Sequence, residues 1–475
     1  MTSKEQELWA ILDRQRSAQL AAPYPDADTR IDRINRVIAL LVDNADALTE
    51  ATVADFGHRC REASAYADIA VPINQLKHAR SRLKRWMRPE KHRSEFPFGL
   101  LGARARVEFQ PKGVIGIIAP WNFPIQLVIG PLAGILAAGN RAMIKPSEFS
   151  EATSALMKRL FEQAFNQDEI AVVTGGADTG AAFSSLPFDH LIFTGSPPVA
   201  VHVAHAAAEN LVPLTLELGG KSPVILGRSV DMKKAAARIM NGKTLNAGQI
   251  CLSPDYLLIP DGSVDAFIDA SRAAINDMFP SGLRDNDDYT SIINQRHFDR
   301  LQGYLNDARE KGAETIELNP RSESFEQQPH HKIPPTLVLN PTDEMAIMQH
   351  EIFGPLLPIM NYQDVDEAIE YVNNHPRPLA LYYFGSDRSE EDRVIRNTTS
   401  GGVTVNDVIL HVIQEDLPIG GIGNSGTGYY HGKAGFLEFS HSRSVFRQTG
   451  SELISILRPP FGRLIRLDLA NRIKK

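Results

Sequence analysis

The sequence predicts an α/β fold made of two successive regions of alternating strands and helices. Three observations carry this. From Gly113 to Gly220, short apolar runs alternate with helical patterns. From Pro223 to Val405 the alternation resumes with a new set of runs. Val114–Ala119 is apolar on both faces, as a buried strand is, and the strand–helix alternation suits a parallel sheet covered by helices on both faces.

Size and charge agree. At 475 residues the chain exceeds one typical core, so two or three domains are expected. Hydrophobic residues make up 43% and charged residues 23%, ordinary for a globular protein in water. The net charge of -7 gives no electrostatic case for a nucleic-acid partner. Two cysteines, Cys60 and Cys251, do not make a disulfide framework; a reducing, cytoplasmic compartment is expected. The first residues lack a basic segment followed by an apolar core, so no signal peptide is expected. Gly113–Asn140 is a 28-residue run without charge, long enough to cross a bilayer. Pro120, Pro124 and Pro131, Asn122, Gln126 and five glycines interrupt it. The backbone groups freed at those breaks would be costly in lipid, so no membrane span is expected.

In order along the chain, Ile31, Ile34, Ile38, Leu41, Ala45 and Leu48 recur at helical spacing and predict one amphipathic helix over 31–50. Ile69, Ile73, Leu76, Leu83 and Met87 predict a second, ending near Pro89; its other face, with Lys77, Arg80, Lys84, Arg85 and Arg88, reads as solvated. Ala103–Gln110 alternates charged and apolar residues, as a strand with one wet face does. Val114–Ala119, Ala142–Lys145, Ile170–Val173 and His190–Thr194 are buried strands, with helices at Leu127–Ala138 and from a Ser150 cap to Phe165. Beyond Gly220, strands are predicted at Pro223–Leu226, Tyr256–Ile259, Thr336–Leu339, Leu379–Phe384 and Gly402–Val405. Helices are predicted at 231–246, 263–278, 291–311 and 365–374, and Asn319–Lys332 as a polar loop. The tail Leu453–Lys475 is basic and partly amphipathic (Leu457, Phe461, Leu464, Ile465, Leu467), and packing against the body or a partner is expected of it.

Chemistry concentrates in a few stretches. Cys251 follows Asn246-Ala247-Gly248-Gln249-Ile250 and precedes Pro254, at a helix-to-loop junction. A thiolate there is a nucleophile, provided a base or a nearby positive charge activates it. Asn122, in Pro120-Trp121-Asn122-Phe123-Pro124, follows a buried strand and can aim its amide at a developing alkoxide. Glu217 ends an apolar strand before Gly219-Gly220, where partial desolvation would poise it as a base. Lys145 and Glu148 follow a strand and suit ribose hydroxyls; Glu148 would repel a 2′-phosphate and so favours NAD over NADP. Gly195 and Ser196 lead from a strand into a helix, where amides can meet a pyrophosphate. Glu351 and Phe353 offer a carboxylate and a ring in one turn.

Taken in this order, the motifs resemble the aldehyde dehydrogenase superfamily from about Ile31 to Val445. The resemblance implies a Rossmann-like dinucleotide-binding domain (1–91 and 112–218), a second α/β catalytic domain (219–410), a small β oligomerisation arm (92–111 and 411–450) and a tail (451–475). It implies Cys251 as nucleophile, Glu217 as general base and Asn122 with the Cys251 N–H as oxyanion hole. Lys145, Glu148 and Glu351 would hold the riboses, Gly195 and Ser196 the pyrophosphate, with Trp121 and Phe353 beside the cofactor. No metal belongs to this expected site. Segments Lys84–Lys91 and Gly432–Phe436 resemble the shorter, usually dimeric branch, and Ala103–Pro111, Asn406–Gly428 and Leu457–Pro460 resemble coniferyl aldehyde dehydrogenases. A homodimer acting on an aromatic or hydrophobic aldehyde is therefore expected. Ala200, where relatives often have glycine, and Pro197-Pro198 depart from the pattern and leave NAD and NADP both open. Two other readings stay on the table: transfer of the acyl group to coenzyme A, and a catalytically silent protein on the same fold.

Overall fold

The structure is a computed structural model and describes residues 2–96, 98–449 and 458–474. After N-terminal helices, β1 (Glu90–His92) pairs antiparallel with β2 (Arg104–Pro111). β3 (Val114–Ile118), β4 (Arg141–Lys145), β5 (Ile170–Val172), β6 (His190–Gly195) and β7 (Leu214–Leu218) form a parallel sheet in the order β7-β6-β3-β4-β5. A second sheet collects β8 (Pro223–Leu226), β9 (Tyr256–Pro260), β10 (Glu314–Glu317), β11 (Thr336–Leu339), β12 (Leu356–Tyr362), β13 (Ala380–Phe384) and β14 (Gly402–Val405), ordered β10-β11-β12-β9-β8-β13-β14. Only β10 runs against its neighbour there. β15 (Gly426–Thr427) then returns to the first sheet antiparallel to β7, and β16 (Ser440–Arg447) returns to β2.

The strand order positions the site. The chain leaves β3 towards β4 and β5 on one side, then crosses back to place β6 and β7 on the other. β3 and β6 are therefore neighbours whose following loops diverge, and such a switch point opens a crevice at the strands' carboxyl ends. Helix Gln126–Ala138 has every residue after its first buried, because it lies between the first sheet and the N-terminal helices. This is why the 28-residue uncharged run is a strand, a loop and a core helix. Among the described residues no helix is long and apolar enough to cross a membrane.

Several local expectations are corrected. The predicted helix over 31–50 is two helices, Ala27–Asp43 and Ala45–Asp55, broken at Asn44, whose Nδ2 donates to Leu40 O at 2.9 Å. The apolar spacing survives the break, so periodicity alone does not reveal it. Ser150 occupies the cap position of helix Glu151–Ala164 but does not cap it; its Oγ turns to Ser147 O. The carboxylate of Asp55 accepts from Ala152 N and Thr153 N at 2.8 and 2.9 Å instead. Strands β10 and β12 and the helices Arg388–Asn397 and Gly432–Glu438 add to the predicted elements. In the tail, 453–457 lie outside the described residues; helix Arg463–Arg472 follows, with Ile465 buried and Leu467 and Leu469 exposed.

Candidate active site

Eight of the ten singled-out residues line one cavity of about 680 Å³: Trp121, Asn122, Gly195, Ser196, Glu217, Cys251, Glu351 and Phe353. They arrive from both sheets. Asn122 and Ser196 follow the carboxyl ends of β3 and β6, and Glu217 lies in β7 one residue before its end. Cys251 and Glu351 precede the amino ends of β9 and β12. The cavity is thus the crevice between the carboxyl edge of one sheet and the amino edge of the other. Lys145 and Glu148 stand apart. Lys145 is buried with its Nζ 2.8 Å from Glu148 Oε2, and Glu148 lines a neighbouring hollow of about 400 Å³ with Pro146, Ser147, Gly175 and Gly176.

The Cys251 loop is held by an unusual backbone. Asn246, Ala247 and Gly248 all have positive φ (50°, 50° and 71°), a conformation that costs energy for the two non-glycine residues. Side-chain amides offset the cost. Asn246 Nδ2 donates to Asn122 O and Gln249 O, each at 3.2 Å, and Gln249 Nε2 donates to Asn246 O at 2.9 Å and Ser291 O at 3.0 Å. At Gly248 a Cβ would collide with the carbonyl of Gly354, so the loop packs directly on the Glu351–Pro355 turn. Asn122 is 3% exposed and gives one Nδ2 hydrogen to Gln249 O at 3.1 Å. That bond ties the expected oxyanion donor to the loop carrying Cys251.

Electrostatics around the thiol are hostile to a thiolate. Burial, then the carboxylates of Glu351 and Glu217, push Cys251 up to about 12. Glu217 is 5% exposed, its Oε1 has no hydrogen-bond partner, and burial followed by the charge of Glu438 holds its carboxyl well above the usual range. Burial and then Asp255 push Glu351 up to about 8. Its carboxylate lies against Gly219, where a side chain would collide with it.

Some supporting residues escape sequence reading. Asp68, in the π-helical segment Ala65–Ala70, accepts from Ile125 N and Gln126 N at 3.1 Å each and pairs with Arg59 at 3.0 Å. It thereby anchors the start of helix Gln126–Ala138, and with it the loop carrying Asn122. The signal was a lone aspartate beside an apolar stripe, since a charge is buried only when paired. Arg300 donates to Ile352 O at 2.8 Å and Phe353 O at 3.3 Å, fixing a turn in which Phe353 has φ 48°. Asp255 binds Lys221 and accepts from Ile352 N at 2.9 Å, joining the Cys251 loop to the same turn. Tyr430 is buried close enough to Glu217 and Cys251 for their charges to add to the effect of burial in raising its hydroxyl well above 10.

The crevice fits a dinucleotide in part. Helix Pro197–Ala208 begins at the end of β6 with Ser196 as its cap residue, but Pro197 and Pro198 remove two of its first N–H donors. The methyl of Ala200 is buried in the apolar cluster with Leu191, Val203 and Leu218. Glu351 Oε1 is a buried acceptor without a partner, available to a hydroxyl.

The aldehyde dehydrogenase family profile matches residues 2–445. The chain belongs to that family. Aldehyde dehydrogenases couple oxidation of an aldehyde to reduction of NAD(P), and this chain is one of them. It is 58% identical over 468 residues, 98% of its length and 96% of the relative's, to a Caulobacter vibrioides protein named "Probable coniferyl aldehyde dehydrogenase". It is 51% identical to the "Coniferyl aldehyde dehydrogenase" of a Pseudomonas species over 97% of this chain and 95% of the relative. Among solved structures, substrate-bound Staphylococcus aureus AldH superposes with a TM-score of 0.92 at 34% identity, covering 99% of this chain and all of that one. Neither acyl transfer to coenzyme A nor a silent scaffold gains support from these relatives.

Proposed function

We propose that this aldehyde dehydrogenase oxidises a coniferyl-type aromatic aldehyde to its acid, with Cys251 as nucleophile, Asn122 as oxyanion donor and Glu217 as general base. The observation carrying the assignment is that these three side chains, from two different sheets, line one crevice. Cys251 Sγ adds to the aldehyde carbon after its proton leaves to a base; the free Nδ2 hydrogen of Asn122 and the Cys251 N–H stabilise the oxyanion. NAD(P), when bound, supplies the acceptor for the hydride that leaves this carbon. Glu217 then takes a proton from water as it attacks the thioester, and the acid departs. A base beside the thioester favours water over coenzyme A as the acyl acceptor.

Glu351 is assigned to a ribose, Gly195 and Ser196 to the pyrophosphate, and Lys145 and Glu148 to the second ribose, with Trp121 and Phe353 walling the ring site. The acidic Glu148 supports NAD over NADP, and a ratio of kcat/KM for NAD to NADP above one is expected. The aromatic substrate is supported by the names of the relatives and by Trp121 and Phe353, whose rings meet edge-on at 5.4 Å in the crevice. A panel of cinnamyl-type, benzaldehyde-type and straight-chain aldehydes tests it; equal kcat/KM for all three would overturn the substrate assignment.

The division at 1–91 and 112–218, 92–111 and 411–450, and 219–410 is part of the same reading. So is a cytoplasmic homodimer built through the arm. The exposed edge strand β16, with Phe446 54% exposed, supports the dimer, because an uncovered edge invites pairing. Sedimentation equilibrium returning the mass of one chain would reject it.

A further inference from the structure

Thr215 and Glu217 lie two residues apart on β7, so their side chains leave the same face of the strand. On that face Thr215 Oγ1 lies 2.6 Å from Glu438 Oε1, at the end of helix Gly432–Glu438. Thr215 Oγ1 is also 2.8 Å from His190 Nε2, and His190 Nδ1 is 3.0 Å from Lys112 Nζ. The direction of each bond follows from its ends. A carboxylate only accepts and an ammonium only donates. The hydroxyl therefore donates to Glu438 and accepts from His190, whose proton sits on Nε2, leaving Nδ1 to accept from Lys112. Burial and then Lys112 push the imidazole down to about 3, so it is neutral and keeps this tautomer. The middle of the chain is dry, with His190 and Thr215 both buried, and a dry chain of aligned bonds transmits charge with little screening.

We propose that Glu438, fixed by the chain Lys112–His190–Thr215, is a positioning residue that strengthens Glu217 as a proton acceptor. This rests on the reading of Glu217 as the base. Glu438, Cys251 and Tyr430 are the groups that face Glu217 electrostatically among the described residues. The thiol and the phenol are neutral near pH 7, since both are raised far above it, so Glu438 is the charged neighbour. Glu438 in turn is faced by Thr215, by His190 Nε2 at 3.9 Å and by Lys112. Like charges on one face of a strand oppose each other's ionisation. Lys112 at the far end offsets part of the Glu438 charge and so sets the strength of the effect.

The test is the pH dependence of thioester hydrolysis after a single turnover, with benzaldehyde and saturating NAD, in the full-length enzyme. The burst of NADH confirms in each variant that folding and acylation are intact. Glu438→Gln keeps the acceptor for Thr215 and removes the charge, so the rising limb should move down by roughly one pH unit. Lys112→Met should move it up by a smaller amount, and it carries the test alone if Glu438→Gln does not fold. Opposite shifts are not expected from general loosening of the structure. If the limb persists unchanged in Glu217→Gln, the base assignment falls and this inference with it. If the limb depends on Glu217 but neither variant moves it, or both move it the same way, the role of Glu438 is overturned and the base assignment stands.

Discussion

Two carboxylates act on the Cys251 thiol, and their surroundings differ. Glu217 comes from β7 of the first sheet and has a negative neighbour, Glu438. Glu351 comes from the turn before β12 of the second sheet; Asp255 raises it, while Lys221 and Arg300 act in the opposite direction. Both have an oxygen without a partner, and both add to the elevation of the thiol. A carboxylate opposed by a like charge gains proton affinity and suits a base. A carboxylate whose like-charged neighbour is partly countered by Lys221 and Arg300, on a turn clamped by Arg300, suits a fixed acceptor for a ligand hydroxyl. On the proposed reading, chemistry and holding are divided between two residues of one type by what surrounds each.

Variants can break that division. The largest effect is expected from Cys251→Ala, which removes the thiol on which both carboxylates act; aldehyde-dependent NADH formation should fall by at least about a thousandfold. An unaffected rate would reject the nucleophile. Next, Glu217→Gln should lower steady turnover by about a hundredfold or more while leaving the NADH burst in place. Loss of the burst itself would show that Glu217 acts before the thioester forms. Asn122→Ala removes one oxyanion donor and should cost about a hundredfold in kcat in stopped-flow measurement of the hydride step. A change confined to KM would move Asn122 out of that role.

How much of this was legible in the sequence depends on distance along the chain. The strands of the first sheet were readable because each is a short, mostly apolar run between turn residues, and the crevice followed from their alternation. The candidate site residues were readable as a set, since each lies at or within a few positions of a strand end. What was missed acts across long separations. The break at Asn44 leaves the apolar period intact. The cap of helix Glu151–Ala164 comes from Asp55, about a hundred residues upstream, so Ser150 looked sufficient. Strand β12, Leu356–Tyr362, contains Pro358 and sits close behind Pro355, which hides a central strand of the second sheet behind turn signals. The pairing of Lys145 with Glu148 is local, yet the sequence could not say that Glu148 lines a hollow of its own and that neither residue lines the main crevice.

The smallest expected effect concerns Glu351 and has a definite sign. Its carboxyl is raised from 4.5 to about 8 in the folded chain. The folded state therefore holds this proton more tightly than the unfolded chain does. The resulting stability is complete below about pH 4.5 and is lost as pH rises through about 8. Glu351→Gln cannot ionise and should escape that loss. In the ligand-free protein the melting temperature of the variant should gain on the wild type between pH 5 and pH 9, by roughly 2–4 °C. Glu217 has the same sign of shift, so a double variant separates the two contributions. A constant difference across the range would mean that Lys221 and Arg300 already compensate the Glu351 charge, and the contrast between the two carboxylates would then be one of position and not of proton affinity.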